Sequence, residues 1–160
     1  MKEQQFFKFD NYEWDGIEKI DYKPSGEDKQ ITFQNTSRQN LIAEGNNTQF
    51  HQRYFECGVD GFSTLEKHEH VHVVIIARGK GKVIVGNEIY DAQPLDLVVI
   101  PSWTEHQLIN TGEEPFGFFC TVNGTRDKFQ TLTKEEIEKL KENPEIAKYI
   151  KVHEKYFGER

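Results

Sequence analysis

Short runs of β-branched and aromatic residues, separated by turns, fill the middle of the chain and constrain its fold more than any other feature. The runs begin at Gln49, recur at intervals of roughly 8 to 12 residues and show no helical period between them. From residue 71 onward they read VHVVIIA, KVIV, EIYDA, LDLVVI, QLI and FGFFCTV. Strands of this length and spacing predict an all-β sandwich or barrel.

The chain has 160 residues, which is enough for a single sizeable core. We divide it into an N-terminal extension over 1–48, a barrel over 49–125 and a C-terminal helical segment over 126–160. The extension is expected to add strands, with short candidates near 17–20 and 31–33. The stretch QNTSRQN at 34–40 has the composition of a turn.

Two short helices are predicted in the C-terminal segment. Thr133 followed by Glu136 forms a capping box, and Asn143 before Pro144 supplies an N-cap with proline at the first helical position. We expect these helices to pack on the outside of the barrel or on a partner rather than to carry chemistry.

Composition excludes several classes of function. The net charge of −7 argues against a nucleic-acid surface, and no apolar stretch approaches the roughly 20 residues that span a bilayer. The first residues contain acidic side chains and no apolar leader segment. Cys57 and Cys120 fit free thiols in a reducing cytoplasm, with a disulfide between them as the alternative. We therefore expect a cytoplasmic protein without nucleic-acid or membrane partners.

Four residues of metal-binding type lie two positions apart in the stretch EKHEHVH: Glu66, His68, His70 and His72. Residues two apart on a strand point to the same side and can grip one ion. Imidazoles with one carboxylate suit one divalent transition metal, namely Fe(II), Mn(II), Ni(II) or Zn. A single ion rarely takes four consecutive same-face ligands, so the pattern leaves open which of the four bind.

Residues 61–123 resemble the barrel of the cupin superfamily, a double-stranded β-helix or jelly roll. The second cupin motif is Gly, five residues, Pro-x-Gly, two residues, His, three residues, Asn. The stretch LDLVVIPSWTEHQLIN matches it at three positions: Pro101, His106 and Asn110. Leu95 and Trp103 replace the two glycines, so we expect these turns to be made differently, with Trp103 at the cavity mouth as a candidate substrate contact.

The first cupin motif is Gly, five residues, His-x-His, three or four residues, Glu, six residues, Gly. Anchoring it on Gly79, in an expected hairpin turn, puts His72 at the glutamate position and His68 and Glu66 at the two histidine positions. The resemblance then implies the metal ligands Glu66, His68, His72 and His106. A rival anchoring on Gly81 reads His68 and His70 as the literal pair but puts Val74 at the glutamate position. The ligands in that case are His68, His70 and His106.

The resemblance also implies an enzyme that acts on a small polar metabolite. Cupins include isomerases, lyases, dioxygenases and sulfur-transfer enzymes, and some of them act on sugar phosphates. His70 and Cys120 are the candidate catalytic groups nearest the metal, with Cys120 in the cavity if residues 118, 120 and 122 face inward. Arg53 and Arg126 are candidate substrate contacts beside Trp103.

A homodimer is expected, because exposed sheet edges need covering and cupin barrels commonly pair. Two alternatives to a metalloenzyme stay open. In the first alternative, the histidines belong to a solvated strand end and bind no metal. In the second, the barrel is a non-catalytic module that binds a sugar or an organic acid.

Overall fold

The computed structural model describes residues 5–23 and 31–158, which form a curled, antiparallel β-barrel followed by two short helices. This confirms the predicted all-β jelly roll with C-terminal helices. The elements, in chain order, are β1 (Phe9–Asp10), β2 (Glu13–Trp14), β3 (Lys19–Asp21), β4 (Gln34–Ile42), β5 (Phe50–Phe62), β6 (Glu66–Lys67), β7 (His72–Arg78), β8 (Gly81–Val85), β9 (Glu88–Ala92), β10 (Leu97–Ile100), β11 (His106–Asn110), β12 (Phe116–Asn123), β13 (Gln130–Thr131), α1 (Lys134–Leu140) and α2 (Pro144–Tyr149).

One half of the barrel runs in the order β3, β4, β5, β12, β7, β10. Its inner face is apolar because alternate residues of each strand point inward. On β12 these residues are Phe118, Cys120 and Val122, all buried, so the inward orientation predicted for this face is confirmed. They share one core cluster with Phe55 and Val74.

The other half runs in the order β9, β8, β11, β6, β13 and joins the first half where β11 meets the end of β5. Its central strand β11 is buried on both faces. Leu108 packs into the barrel interior, whereas its neighbour Ile109 belongs to a second cluster on the outside. The C-terminal segment covers that outer face, with Ile137 and Ile146 in the same cluster.

The C-terminal helices begin where the sequence predicts. Thr133 and Glu136 form a complete capping box at α1, and the Asn143 side chain accepts from the backbone N–H of Glu145 at the start of α2. These caps satisfy backbone donors that the first helical turn leaves free.

The turn predicted at 34–40 is wrong, because these residues belong to the strand β4. This strand pairs with β5 along most of its length and with β3 on its other side. Strand pairing supplies backbone hydrogen bonds all along the segment, and that outweighs the local preference of Asn and Ser for turns. The residues 31–33 that precede it have no strand geometry.

The connection between β7 and β8 is not the predicted hairpin, because the two strands pair with different neighbours in different halves of the barrel. The chain passes from one half to the other at Gly79, where φ is +71°. A Cβ at this position would lie 2.2 Å from the carbonyl oxygen of Pro115, so the passage needs glycine for space as well as for conformation.

Leu95 and Trp103 both have a backbone conformation that is unusual for residues with a side chain. Their φ angles are +74° and +57°, in the left-handed region that glycine enters most easily. That these turns differ from those made with glycine stays a prediction. Within the described ranges, no helix is long and apolar enough to cross a membrane.

We predict that Gly79→Ala destabilises the protein more than Gly45→Ala does. Both glycines have positive φ, but nothing lies within 4 Å of a Cβ at Gly45. Gly45→Ala is therefore the control and should lose only about 1 kcal/mol of unfolding free energy, the cost of the left-handed conformation for alanine. Gly79→Ala should lose roughly 1–3 kcal/mol more from overpacking against Pro115. Urea unfolding of the metal-free variants measures both, and equal losses would contradict the close approach.

Candidate metal centre

Backbone pairing brings the histidine-rich segment to His106. β6 and β11 pair so that Glu66 lies directly opposite His106. After Lys67 the chain leaves β6, crosses residues 68–71 without strand geometry and enters β7 in the other half of the barrel at His72. The segment is therefore not one straight strand, and this crossing allows side chains from both halves to converge.

Three imidazoles converge at the crossing: His68, His72 and His106. Their ligand atoms all lie within 4.8 Å of one another, and the Nε2 atoms of His68 and His72 are 2.8 Å apart. His68 and His106 are almost completely buried, with 1% and 3% of their surface exposed. The sequence-predicted ligands from two separate motifs thus meet at one point.

The tautomers of two of these histidines are fixed by backbone carbonyls. Nδ1 of His68 donates to the carbonyl of His70 at 2.8 Å, and Nδ1 of His106 donates to the carbonyl of Thr104 at 2.9 Å. A carbonyl only accepts, so the proton of each neutral ring is on Nδ1 and the lone pair is on Nε2. Metal-binding histidines are commonly oriented in this way.

The imidazoles are held in the neutral form that binds metals. Burial lowers the pKa of His68 to about 4, and burial together with the neighbouring imidazoles lowers the pKa of His72 well below its ordinary value. Burial also lowers the pKa of His106, although Glu66 opposes the shift. Without a metal, the N–H at Nε2 of His72 donates to the Nε2 lone pair of His68, and a cation that binds there replaces this proton. The donor set therefore fits a divalent transition metal.

Glu66 lies beside the three imidazoles. Its Oε1 is 3.9 Å from Nε2 of His68 and 3.8 Å from Nε2 of His106, while its Oε2 pairs with the ammonium group of Lys23. Burial alone would raise the pKa of Glu66, but Lys23 and His106 hold it below its ordinary value. The carboxylate is thus negative and adjacent to the centre, and its role as a fourth ligand stays a prediction.

His70 makes a different set of contacts. Its ring stacks on His68, with centroids 3.6 Å apart, and its Nδ1 lies 2.7 Å from Oδ1 of Asp127. Asp127 also accepts the backbone N–H groups of Glu69 and His70, and these bonds lower its pKa. His70 and Asp127 thus form a second group of possible ligands with His68, and the choice between the two sequence registers stays a prediction.

Cys120 lies directly behind the metal-binding group. Its Sγ is 2.9 Å from Nδ1 of His72 and 3.5 Å from Nη2 of Arg53. Burial raises the pKa of the Cys120 thiol, with Arg53 opposing the shift. Cys57 and Cys120 are both free and buried, so the prediction of free thiols is confirmed.

A cavity of about 240 Å³ opens in front of the histidines. Arg53, Arg126, His70 and Cys120 line it, as their predicted roles require. Trp103 does not line it: its side chain is 48% exposed, and its backbone N–H donates to the carbonyl of His68. The backbone of Trp103 thus holds the crossing at residues 68–71 by a hydrogen bond, and the indole lies on the surface.

Sequence reasoning missed four charged residues that line the cavity: Lys23, Arg38, Asp127 and Lys128. Arg38 lies in β4, the segment predicted as a turn, opposite Phe55 of β5. Its position becomes visible only when the pairing of these two strands is known. For Asp127, the neighbouring Arg126 was the available signal, because the two residues share the loop that follows β12.

The fold and this site are those of a cupin barrel. Residues 54–122 match the cupin domain family, and the chain belongs to it. Among its relatives, 1-methylthio-D-xylulose 5-phosphate methylsulfurylase of Rhodospirillum rubrum is 38% identical over 139 residues, which cover 87% of this chain and 86% of the relative.

Solved structures agree with this assignment. A cupin 2 conserved barrel domain protein from Rhodopseudomonas palustris is 43% identical with a TM-score of 0.76, and the match covers 86% of this chain and 92% of that one. A cupin-2 domain protein from Rhodospirillum rubrum is 37% identical with a TM-score of 0.78, covering 90% and 95%.

We predict that His72→Ala abolishes metal binding and that His70→Ala leaves it nearly intact. His72 directs Nε2 at the other two imidazoles, whereas Nδ1 of His70 is bound to Asp127. Metal content by mass spectrometry, after loading with Mn(II), Fe(II) or Zn, measures both variants. Loss of metal in His70→Ala with retention in His72→Ala would support the rival register.

Proposed function

We propose that this protein is a divalent-metal-dependent enzyme of the sulfur-transfer type that acts on a small sugar phosphate. The observation that carries the proposal is the convergence of His68, His72 and His106 on the wall of a cavity of about 240 Å³, with a thiol beside them. A purely structural metal site would be closed by its protein ligands, whereas these ligands face a space for a small molecule.

The metal would be held by His68, His72 and His106, with Glu66 as the adjacent carboxylate. When bound, it supplies Lewis-acid chemistry, polarising a carbonyl or hydroxyl oxygen of the substrate. The chain itself supplies the charges around this position. Glu66 is negative and tied to Lys23, and Asp127 orients the His70 ring.

Cys120 is the candidate reactive group for sulfur chemistry. Its pKa is raised by burial, so it is present as the protonated thiol. The thiol contacts His72 and Arg53, and it lines the cavity. Arg53 opposes the effect of burial on the pKa of the Cys120 thiol. When a bound substrate excludes the remaining water, this cation stays beside the thiol and acts on it more strongly.

The reaction class is supported by the Rhodospirillum rubrum relative, whose name states a methylsulfurylase acting on a sugar 5-phosphate. Identity of 38% across most of both chains covers the barrel and both of its metal motifs. The two free, buried thiols support a reducing compartment such as the cytoplasm.

The test is consumption of 1-methylthio-D-xylulose 5-phosphate by the metal-loaded protein in excess low-molecular-weight thiol, followed by mass spectrometry. The added thiol accepts the methylthio group as a mixed disulfide, and its proton replaces the group on the sugar carbon. We expect consumption by the wild type, and a decrease of at least about 100-fold in Cys120→Ser, the scale of a lost catalytic group. Cys57→Ser is the matched control, because Cys57 is also a buried free thiol but does not line the cavity.

Three results would contradict the proposal. No consumption by the metal-loaded wild type, together with tight binding of the compound, would support the non-catalytic binding module instead. Equal activity of the metal-loaded and metal-free proteins would remove the metal from the mechanism. Equal losses in the two cysteine variants would remove the special role of Cys120.

A further inference from the structure

The cavity is cationic although the protein is acidic. The chain carries a net charge of −7, yet five basic side chains line this space: Lys23, Arg38, Arg53, Arg126 and Lys128. Among the described residues, two acidic side chains, Glu66 and Asp127, accompany them. The distribution of charge therefore favours a negatively charged ligand in this cavity.

Three of the cations are not neutralised by the acidic groups. Glu66 pairs with Lys23, and Asp127 accepts from His70 and from backbone N–H groups. Across residues 5–23 and 31–158, none of the arginines at 38, 53 and 126 forms an ion pair with a carboxylate. Their guanidinium groups thus bring uncompensated positive charge to one cavity.

The hydrogen bonds of these arginines are also incomplete. The Nε atoms of Arg38 and Arg53 are buried and have no hydrogen-bond partner among the residues that the structure describes. Arg53 contacts Sγ of Cys120, and Arg126 donates to His51 and to the carbonyl of Asn123. A buried donor without a partner is costly unless a ligand completes it.

The three arginines line the same cavity, and their like charges act on one another. Burial and then the charge of Arg53 lower the pKa of both Arg38 and Arg126. An arginine keeps its charge in proteins, so the repulsion remains in the ligand-free site. An anion between the three groups would remove this repulsion.

The position of the cluster relative to the metal-binding histidines is set by strand pairing. Arg53 of β5 lies opposite Cys120 of β12, which in turn contacts His72. Arg38 reaches the same wall from β4, and Arg126 from the loop after β12. The thiol therefore lies between the imidazoles and the arginines.

We propose that Arg38, Arg53 and Arg126 form the subsite for the phosphate monoester of a sugar phosphate bound at the metal centre. This inference rests on the proposed function and names the residues that recognise the substrate. The guanidinium group presents several N–H donors in a planar fork that matches phosphate oxygens. Arg38 belongs to the N-terminal extension, so the extension completes the site.

Calorimetric binding to the metal-loaded protein tests the subsite without requiring turnover. The probes are D-xylulose 5-phosphate, D-xylulose and inorganic phosphate. We expect the wild type to bind the sugar phosphate at least about 10-fold more tightly than either of the other probes, since both ends of the ligand are then recognised. Arg38→Gln should reduce the preference for the phosphorylated sugar about 10-fold or more, and Arg38→Lys should retain part of it.

Arg78→Gln is the matched control, because Arg78 pairs with Glu56 and does not line the cavity. It should leave the preference unchanged. Arg126→Gln provides a second variant if Arg38→Gln does not fold, as judged by its thermal unfolding. An unchanged preference in the folded Arg38 and Arg126 variants would overturn the subsite even if the enzyme consumes its substrate. Tighter binding of the phosphorylated sugar without consumption of 1-methylthio-D-xylulose 5-phosphate would contradict the proposed enzymatic function but support the arginine subsite.

Discussion

The metal centre depends on two backbone carbonyls that fix the orientation of imidazole rings. The carbonyls of His70 and Thr104 hold the protons of His68 and His106 on Nδ1, and both Nε2 lone pairs therefore point toward His72. Burial keeps the rings neutral, and Nε2 of His72 donates to the lone pair of His68 until a cation replaces this proton. The crossing of the chain between the two halves of the barrel makes this meeting possible.

The same crossing organises the groups around the centre. Asp127 holds residues 69 and 70 of the crossing by accepting their backbone N–H groups, and the turn at Trp103 donates a backbone hydrogen bond to His68. Lys23 compensates the buried carboxylate of Glu66. The N-terminal extension, which supplies Lys23 and Arg38, therefore contributes charge to the cavity as well as strands to the sheet.

The sequence predicted those features that local patterns encode. Alternating apolar residues, capping residues and cupin motif spacings are sufficient for the barrel, the two helices and the pairing of His106 with the histidine-rich segment. The strand β4 and the passage at Gly79 were predicted wrongly, because strand pairing and the choice of sheet are long-range effects. The glycine-like backbone of Leu95 and Trp103 is likewise imposed by the surrounding barrel.

A crystal structure of the Mn(II)-loaded protein, with the ion located by its anomalous scattering, is the most direct test of the metal centre. The geometry predicts a peak at roughly 2.0–2.3 Å from the Nε2 atoms of His68, His72 and His106, the distance usual for metal–imidazole bonds. A peak coordinated instead by His68, His70 and Asp127 would contradict this account, as would the absence of an ion at His106 in fully loaded protein.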